Sequence, residues 1–127
     1  MSEWYQDVYD FHEKFGCHIE NKPKVATEQI RELRWNLIEE EYGELESAIT
    51  TENLPQIADA IVDSIYVLIG TAISYGIDLR PIWDAVHVSN MNKVGGGERS
   101  DGKILKPGDW VAPDVESLIK EQQRRSE

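Results

Sequence analysis

Five acidic residues on two neighbouring segments are the residues of this chain best suited to chemistry. Glu40, Glu41 and Glu44 lie on the first segment, and Asp59 and Asp63 lie on the second. Side chains three or four residues apart project from one side of an α-helix. Because only a short polar connection separates the segments, the two helices are predicted to fold back antiparallel and bring the carboxylates together. Converging carboxylates repel each other unless a cation is present, and an all-oxygen ligand set favours Mg²⁺ or Mn²⁺ over zinc.

The two aspartates carry most of this prediction. A run of glutamates alone is usually a solvated helix face, whereas Asp59 and Asp63 interrupt an almost continuous apolar run. Burial of an unpaired carboxylate is costly, so both must find a cation, hydrogen-bond donors or a water-filled cleft. The alternative is structural: one aspartate caps a helix or pairs with Arg31 or Arg34. Gln56 precedes Asp59 by three residues and could hydrogen-bond a metal-bound water.

A second polar group follows on the predicted fourth helix and the tail after it. His87, Asn90 and Lys93 recur at spacings of three, and further basic residues follow in a chain whose formal net charge is -11. Phosphate oxygens at the open end of the metal site are the expected ligands of this group. The residues expected to hold them are Asn90, Lys93, Lys103 and Lys106. The alternative is an ordinary polar face, and the glycine run at 95–97 is weak evidence for a phosphate loop because it follows a helix.

The composition favours one cytoplasmic domain. A chain of 127 residues with 40% apolar residues is sufficient for one core, which small helical chains often complete by oligomerising. The net charge of -11 opposes binding to a nucleic-acid polymer. The single cysteine, Cys17, cannot form an intramolecular disulfide, which fits a reducing compartment, and no secretory signal is visible. The apolar stretch from Ile57 to Ile77 contains two aspartates, which argues against a membrane span.

Apolar periodicity predicts an all-α fold, a bundle of four to five helices that spans residues 1–127 as one domain. A first helix ending at Gly16 is predicted from four apolar residues at helical spacing. They are Trp4, Val8, Phe11 and Phe15. A long second helix, capped by Thr27, carries a predicted apolar stripe. The stripe consists of Ile38, Tyr42, Leu45 and Ile49.

The second half of the chain predicts a central helix, a further helix and a flap. Asn53 and Pro55 start a third helix that is apolar on nearly every side and is therefore expected to be buried. A fourth helix is predicted to begin at Pro81 and to end at the glycine run. Turn residues around short apolar pieces predict an ordered flap over 95–113, and the last residues, 113–127, predict a brief exposed helix. Because a helix apolar all round needs more cover than one short chain supplies, we expect a homodimer or a homotetramer.

The acidic motifs resemble those of the all-α nucleotide pyrophosphohydrolases. This MazG-like superfamily includes phosphoribosyl-ATP pyrophosphohydrolase and the dimeric dUTPases. Its first motif is two acids followed by a third acid three residues on, and Glu40, Glu41 and Glu44 match it. Its second motif ends in an aspartate followed by a small, apolar and tyrosine stretch, which is matched by Asp63 to Tyr66.

The resemblance covers roughly Val8 to Asp114 and includes one departure. Ala60 stands where the family usually has a glutamate, and Asp59, one position earlier, is the expected substitute. The runs Ser89 to Lys93 and Asp101 to Lys103 resemble bacterial and phage members described as phosphoribosyl-ATP pyrophosphohydrolase-like.

The resemblance implies hydrolysis of a nucleoside triphosphate, a deoxynucleotide or a non-canonical one, between its α and β phosphates. The products would be the monophosphate and pyrophosphate. Glu40 would orient or deprotonate the attacking water, Lys93 would stabilise the phosphate chain, and Trp110 in the flap would cover the base. The implied Mg²⁺ ligands are Glu41, Glu44, Asp59 and Asp63. Two rival functions are the phosphoribosyl-ATP pyrophosphohydrolase of histidine biosynthesis and a non-enzymatic helical interaction module whose acids are only surface charge.

Overall fold

The computed structural model describes residues 1–125 and contains five α-helices in that range. The helices are α1 (Ser2–Phe15), α2 (Glu28–Thr50), α3 (Leu54–Ser74), α4 (Leu79–Met91) and α5 (Val115–Arg125). The predicted all-α fold is confirmed. Residues 126 and 127, with which the predicted last helix ends, lie outside the described residues.

Helices α2 and α3 pack along each other and bring the two acidic segments together. The side chain of Thr27 accepts a hydrogen bond from Ile30 N (3.4 Å), and that of Asn53 accepts one from Gln56 N (3.1 Å), so both predicted caps are confirmed. Pro55 lies in the first turn of α3, where its missing N–H costs no helical hydrogen bond. Because α3 begins almost directly after α2 ends, the two helices run antiparallel, as predicted.

The apolar core forms where α1 crosses α3. Its buried members are Tyr5, Val8, Ile69 and Ile73. Of the four apolar residues from which α1 was predicted, Trp4, Phe11 and Phe15 are exposed, whereas Tyr5, which is not one of them, is buried. The Tyr5 hydroxyl donates a hydrogen bond to the Ile77 carbonyl (3.2 Å), which fixes this rotation of the helix.

Helix α3 is covered on only part of its circumference. Its exposed apolar residues include Ile61, Val62 and Leu68. On α2, Tyr42 and Ile49 of the predicted stripe are exposed as well. The prediction of a fully buried central helix is therefore wrong for the single chain. By length and composition α3 would also pass as a membrane span, but it carries two aspartates and packs against α1 and α2.

Helix α4 begins at Leu79, before the predicted start at Pro81, because Asp78 acts as its cap. The Asp78 carboxylate accepts a hydrogen bond from Arg80 N (3.0 Å) and pairs with the Arg80 guanidinium (2.8 Å). The helix ends at Met91, ahead of the glycine run.

The flap and α5 follow as predicted. A β-bridge between Glu98 and Ile104 gives the flap its short hairpin. Helix α5 buries no residue fully, but Gln122 anchors it to the start of α4. The Gln122 amide accepts from Asp78 N and donates to Asp78 O, each at 2.9 Å.

Candidate active site

Three carboxylates from two helices meet in one group, here called the carboxylate triplet. Glu41 and Glu44 project from neighbouring turns of α2, and Asp63 projects from α3. Each offers an oxygen within 4.8 Å of the other two. The structure thus brings together three of the four predicted metal residues.

The environment of the Glu41 carboxylate makes this triplet suited to a cation. Its Oε2 atom is buried and has no hydrogen-bond partner among the described residues. Burial raises the pKa of Glu41, and the neighbouring charges of Glu44 and Asp63 raise it further. A divalent ion with oxygen ligands would provide the missing partner and offset the repulsion. The residues present therefore fit a divalent metal ion.

The other predicted acids line an open cleft beside the triplet, here called the acid cleft. It has a volume of about 510 Å³. Its lining residues are Glu40, Gly43, Glu44, Ser47, Gln56, Asp59 and Ala60. Asp59 lies one helical turn before Asp63 on α3, outside the triplet. It lines the acid cleft together with Glu40 and Gln56. Glu44 belongs to both the triplet and the cleft, so the acids form one continuous surface.

A second cavity lies on the other side of the triplet, between α1, α2 and α3, and is here called the inner cavity. Its volume is about 380 Å³. Its lining residues are Val8, Phe11, His12, Cys17, Arg34, Leu37, Glu41, Asp63, Tyr66 and Val67. Two members of the triplet, Glu41 and Asp63, are part of its wall. The triplet therefore stands at the boundary between the inner cavity and the acid cleft.

Arg34 is a buried cation in the wall of the inner cavity and is only 7% exposed. Its Nε donates to Thr71 Oγ1 (3.1 Å) and its Nη2 donates to the Val67 carbonyl (2.7 Å). Among the ion pairs of residues 1–125, none joins Arg34 or Arg31 to Asp59 or Asp63, so the predicted pairing is wrong. The side chains that cap α2, α3 and α4 are those of Thr27, Asn53 and Asp78, and not those of Asp59 or Asp63. Burial lowers the pKa of Arg34.

His12, only 2% exposed, lies beside Arg34. Its Nδ1 is 3.1 Å from the His18 carbonyl oxygen, and because a carbonyl only accepts, Nδ1 carries the proton. Burial lowers the pKa of His12, which favours the neutral ring, and in that ring Nε2 is an acceptor. A Cβ atom at Gly70 would lie 2.6 Å from Arg34 Nη2 and 2.9 Å from His12 Nε2. Glycine at this position lets both nitrogens approach the backbone of α3.

The predicted phosphate-binding residues divide into two groups. Lys93 and Lys106 both contact the ring of Trp110, with Nζ atoms 5.5 and 4.8 Å from its centroid. The Trp110 indole donates to the Ser89 carbonyl (2.7 Å), which ties the flap to the end of α4. This arrangement of Lys93, Lys106 and Trp110 is here called the basic clamp. Asn90 and Lys103 are exposed outside it, and within the described chain none of these residues lines the acid cleft or the inner cavity.

Sequence reasoning did not predict a role for His12 or for the cavity wall around Arg34. A single histidine and a single arginine on amphipathic helices carry no periodic signal. The only sequence hint is Gly70 within a helix of large apolar residues, because glycine there often marks a close approach.

Comparison with known proteins relates the chain to one family and to a viral protein. The sequence profile of the family described as phosphoribosyl-ATP pyrophosphohydrolase matches residues 8–90, which include all five acids and the whole wall of the inner cavity. The chain is also 41% identical over 80 residues to a protein of Acanthamoeba polyphaga mimivirus named uncharacterized protein L479. That alignment covers 59% of this chain and 32% of the viral protein, so the chain spans about a third of its relative's length.

Proposed function

Since the chain belongs to the phosphoribosyl-ATP pyrophosphohydrolase family, we propose that it hydrolyses a nucleoside triphosphate between the α and β phosphates. The products are the nucleoside monophosphate and pyrophosphate, and the substrate is a deoxynucleotide or a non-canonical nucleotide. The observation that carries the proposal is the carboxylate triplet, in which a buried oxygen of Glu41 lacks a partner among the described residues.

The proposed metal ligands are Glu41, Glu44 and Asp63, with Asp59 as a further ligand from the acid cleft. Their oxygens suit Mg²⁺, and Mn²⁺ is the nearest substitute. Such an ion, when bound, neutralises charge on the phosphate oxygens.

Glu40 is the proposed general base. It lies in the acid cleft next to the triplet but outside it, so its carboxylate stays available to accept a proton from the attacking water. In the proposed reaction a water oxygen bonds to the α phosphorus, the bond from that phosphorus to the bridging oxygen breaks, and the water's proton passes to Glu40.

The basic clamp is the proposed contact for the phosphate chain, supported by Asn90 and Lys103. The ammonium groups of Lys93 and Lys106 both contact the Trp110 ring and form a local positive site in a chain of net charge -11. This assignment requires the flap, including Trp110, to approach the acid cleft when substrate is bound.

We further propose a homodimer or homotetramer in the cytoplasm, acting on free nucleotides and not on nucleic-acid polymers or membranes. The exposed apolar residues of α2 and α3, among them Tyr42, Ile49 and Val62, support self-association because water-exposed apolar faces of this kind are commonly covered by a second chain.

The test is a panel of canonical and modified nucleoside triphosphates with Mg²⁺, in which both products are quantified. Monophosphate and pyrophosphate in equal amounts support the proposal, whereas diphosphate and phosphate contradict the bond assignment. Phosphoribosyl-ATP belongs in the panel because the family's description makes its hydrolysis the second candidate function. Absence of turnover on every compound would leave the non-enzymatic interaction module as the better account.

A further inference from the structure

We propose that the inner cavity binds the nucleobase and selects bases that present a carbonyl beside a ring N–H. Uracil, thymine, guanine and hypoxanthine have this edge, and cytosine and adenine do not. The inference rests on the proposed function, and it names the substrate class of the same site.

The inner cavity is well placed to hold the base of a nucleotide whose phosphates lie at the carboxylate triplet. Glu41 and Asp63 form part of its wall, so a nucleotide held at the triplet has the cavity directly beside it. The rest of the wall is largely apolar, with the rings of Phe11 and Tyr66 edge to face at 5.5 Å. A mostly apolar cavity with a few convergent polar groups is the usual form of a small-molecule site.

Arg34 supplies hydrogen-bond donors to this cavity. A guanidinium has five N–H groups, and the hydrogen bonds to Thr71 and Val67 occupy two of them. The remaining donors have no carboxylate partner among the described residues, although the group is 7% exposed. These N–H groups are therefore available to a ligand that carries an acceptor.

A neutral carbonyl is a better ligand for Arg34 than an anion is. Glu41 and Asp63 line the same cavity and would repel a second negative charge. The lone pair on His12 Nε2 would repel it too. A base carbonyl accepts from the guanidinium without these costs.

His12 supplies the matching acceptor. Its Nδ1 proton is committed to the His18 carbonyl, so Nε2 can only accept. Nε2 and Arg34 Nη2 both lie within 3 Å of one point, the position of a Cβ at Gly70 (2.9 and 2.6 Å), so acceptor and donor are neighbours. A carbonyl beside a ring N–H satisfies both atoms at once.

An amino base would meet the opposite pattern. Its exocyclic amino group would face the guanidinium donors of Arg34, and its unprotonated ring nitrogen would face the lone pair of His12. Two unmatched buried contacts discriminate far more strongly than a difference in size does.

The experiment compares two pairs of nearly isosteric substrates with the wild-type protein and Mg²⁺: dUTP against dCTP, and dITP against dATP. The expected kcat/KM is higher for dUTP and dITP by roughly tenfold to hundredfold. Equal or reversed values within both pairs would overturn the inference while leaving the proposed function intact. If no triphosphate is hydrolysed, the proposed function fails, and calorimetric binding of the α,β-imido analogues of dUTP and dCTP then decides: tighter uracil binding supports the inference, and equal or weaker binding overturns it.

Variants locate the selectivity in the cavity wall. His12→Phe keeps a ring of similar size but removes the acceptor, so the dUTP/dCTP ratio should fall towards one. The matched control is His18→Phe, which makes the same change outside the cavity wall and keeps the backbone carbonyl that His12 uses. Arg34→Lys, which keeps the charge but loses the planar fork, is a second variant for the case in which His12→Phe does not fold. A folded variant at either position with an unchanged ratio would contradict the assignment.

Discussion

Glu41 and Asp63, which belong to different helices, place carboxylate oxygens within 4.8 Å of each other and also share the wall of the inner cavity. Glu44 completes the triplet from the side of the acid cleft. A cation at the triplet would therefore be within reach of a ligand in the inner cavity and of a ligand in the acid cleft.

The first prediction concerns metal-linked stability. Mg²⁺ at millimolar concentration should raise the melting temperature by roughly 3–8 °C, because the ion binds the folded triplet and relieves its repulsion. Glu44→Gln should lose most of this shift and, without metal, should be at least as stable as the wild type because one negative charge is gone. Scanning calorimetry with Mg²⁺ and with EDTA measures both effects. The control is Glu46→Gln, an exposed glutamate outside the triplet; equal shifts in the two variants would contradict the metal site.

The second prediction separates the base from the ligands. Glu40→Gln keeps size and polarity but cannot take a proton, so kcat should fall roughly a hundredfold or more while the Mg²⁺-induced thermal shift remains. Glu39→Gln is the control, since Glu39 is the exposed neighbour that does not line the acid cleft. Loss of the thermal shift in Glu40→Gln would reassign this residue as a metal ligand.

The third prediction tests the basic clamp. Lys93→Ala should weaken handling of the phosphate chain, seen as a rise in KM of about tenfold, while the melting temperature changes little because a half-buried cation–π contact contributes only about 1 kcal/mol. Lys24→Ala, which removes a lysine outside the clamp, is the control. If Lys93→Ala has wild-type kinetics, the phosphate contact lies elsewhere, and Lys103→Ala and Lys106→Ala are the next variants to measure.

The fourth prediction is a dependence of stability on pH that arises from His12. Burial lowers the pKa of His12 in the folded protein, whereas an unfolded histidine protonates near pH 6.5. Below about pH 6.5 the unfolded state therefore binds more protons, and the free energy of unfolding should fall as the pH drops towards the folded pKa. Urea unfolding of the wild type and of His12→Gln between pH 5 and 8, roughly the interval in which an unperturbed histidine titrates, measures the difference. The slope should be smaller in His12→Gln, with His18→Gln as the control; identical slopes in wild type and His12→Gln would contradict the prediction.

The fifth prediction uses two helical glycines. Gly70→Ala would place a Cβ atom 2.6 Å from Arg34 Nη2 and 2.9 Å from His12 Nε2, and the guanidinium is held by Val67 and Thr71. It should destabilise the protein by about 1–3 kcal/mol. Gly43→Ala meets no atom within 4 Å and should stabilise α2 by about 0.5–1 kcal/mol. Opposite shifts in the urea midpoint are expected, and a shift of the same sign in both would contradict the close approach at Gly70.

Local signals in the sequence predicted much of the fold and part of the site. The caps at Thr27 and Asn53 depend on residues three positions away, and the meeting of Glu41 with Asp63 follows from helical spacing and a short connection. Local signals do not decide which of Asp59 and Asp63 reaches Glu41. Both lie on one face of α3, but one turn separates them, and only the register of α3 against α2 decides which reaches Glu41.

Tertiary contacts decided the remaining features. Tyr5 replaces Trp4 in the core because of one long-range hydrogen bond to Ile77, which no helical period encodes. The inner cavity needs α1 to pack against α3 so that His12 meets Arg34 of α2, and the two residues come from distant parts of the chain. The exposure of Val62 depends on how much of α3 the other helices cover, which periodicity cannot measure.

Helix α1 contributes Val8, Phe11 and His12 to the inner cavity and no residue to the acid cleft. Under the proposed assignment, α1 supplies His12 for the choice of base and none of the acids that act on the phosphate bond, whereas Arg34 shares α2 with three of those acids. Natural selection can then alter the nucleotide that is removed by changing α1 while the bond-breaking acids of α2 and α3 stay as they are. The same division makes α1 the segment in which a library of variants is best placed to redirect the enzyme to a new nucleotide.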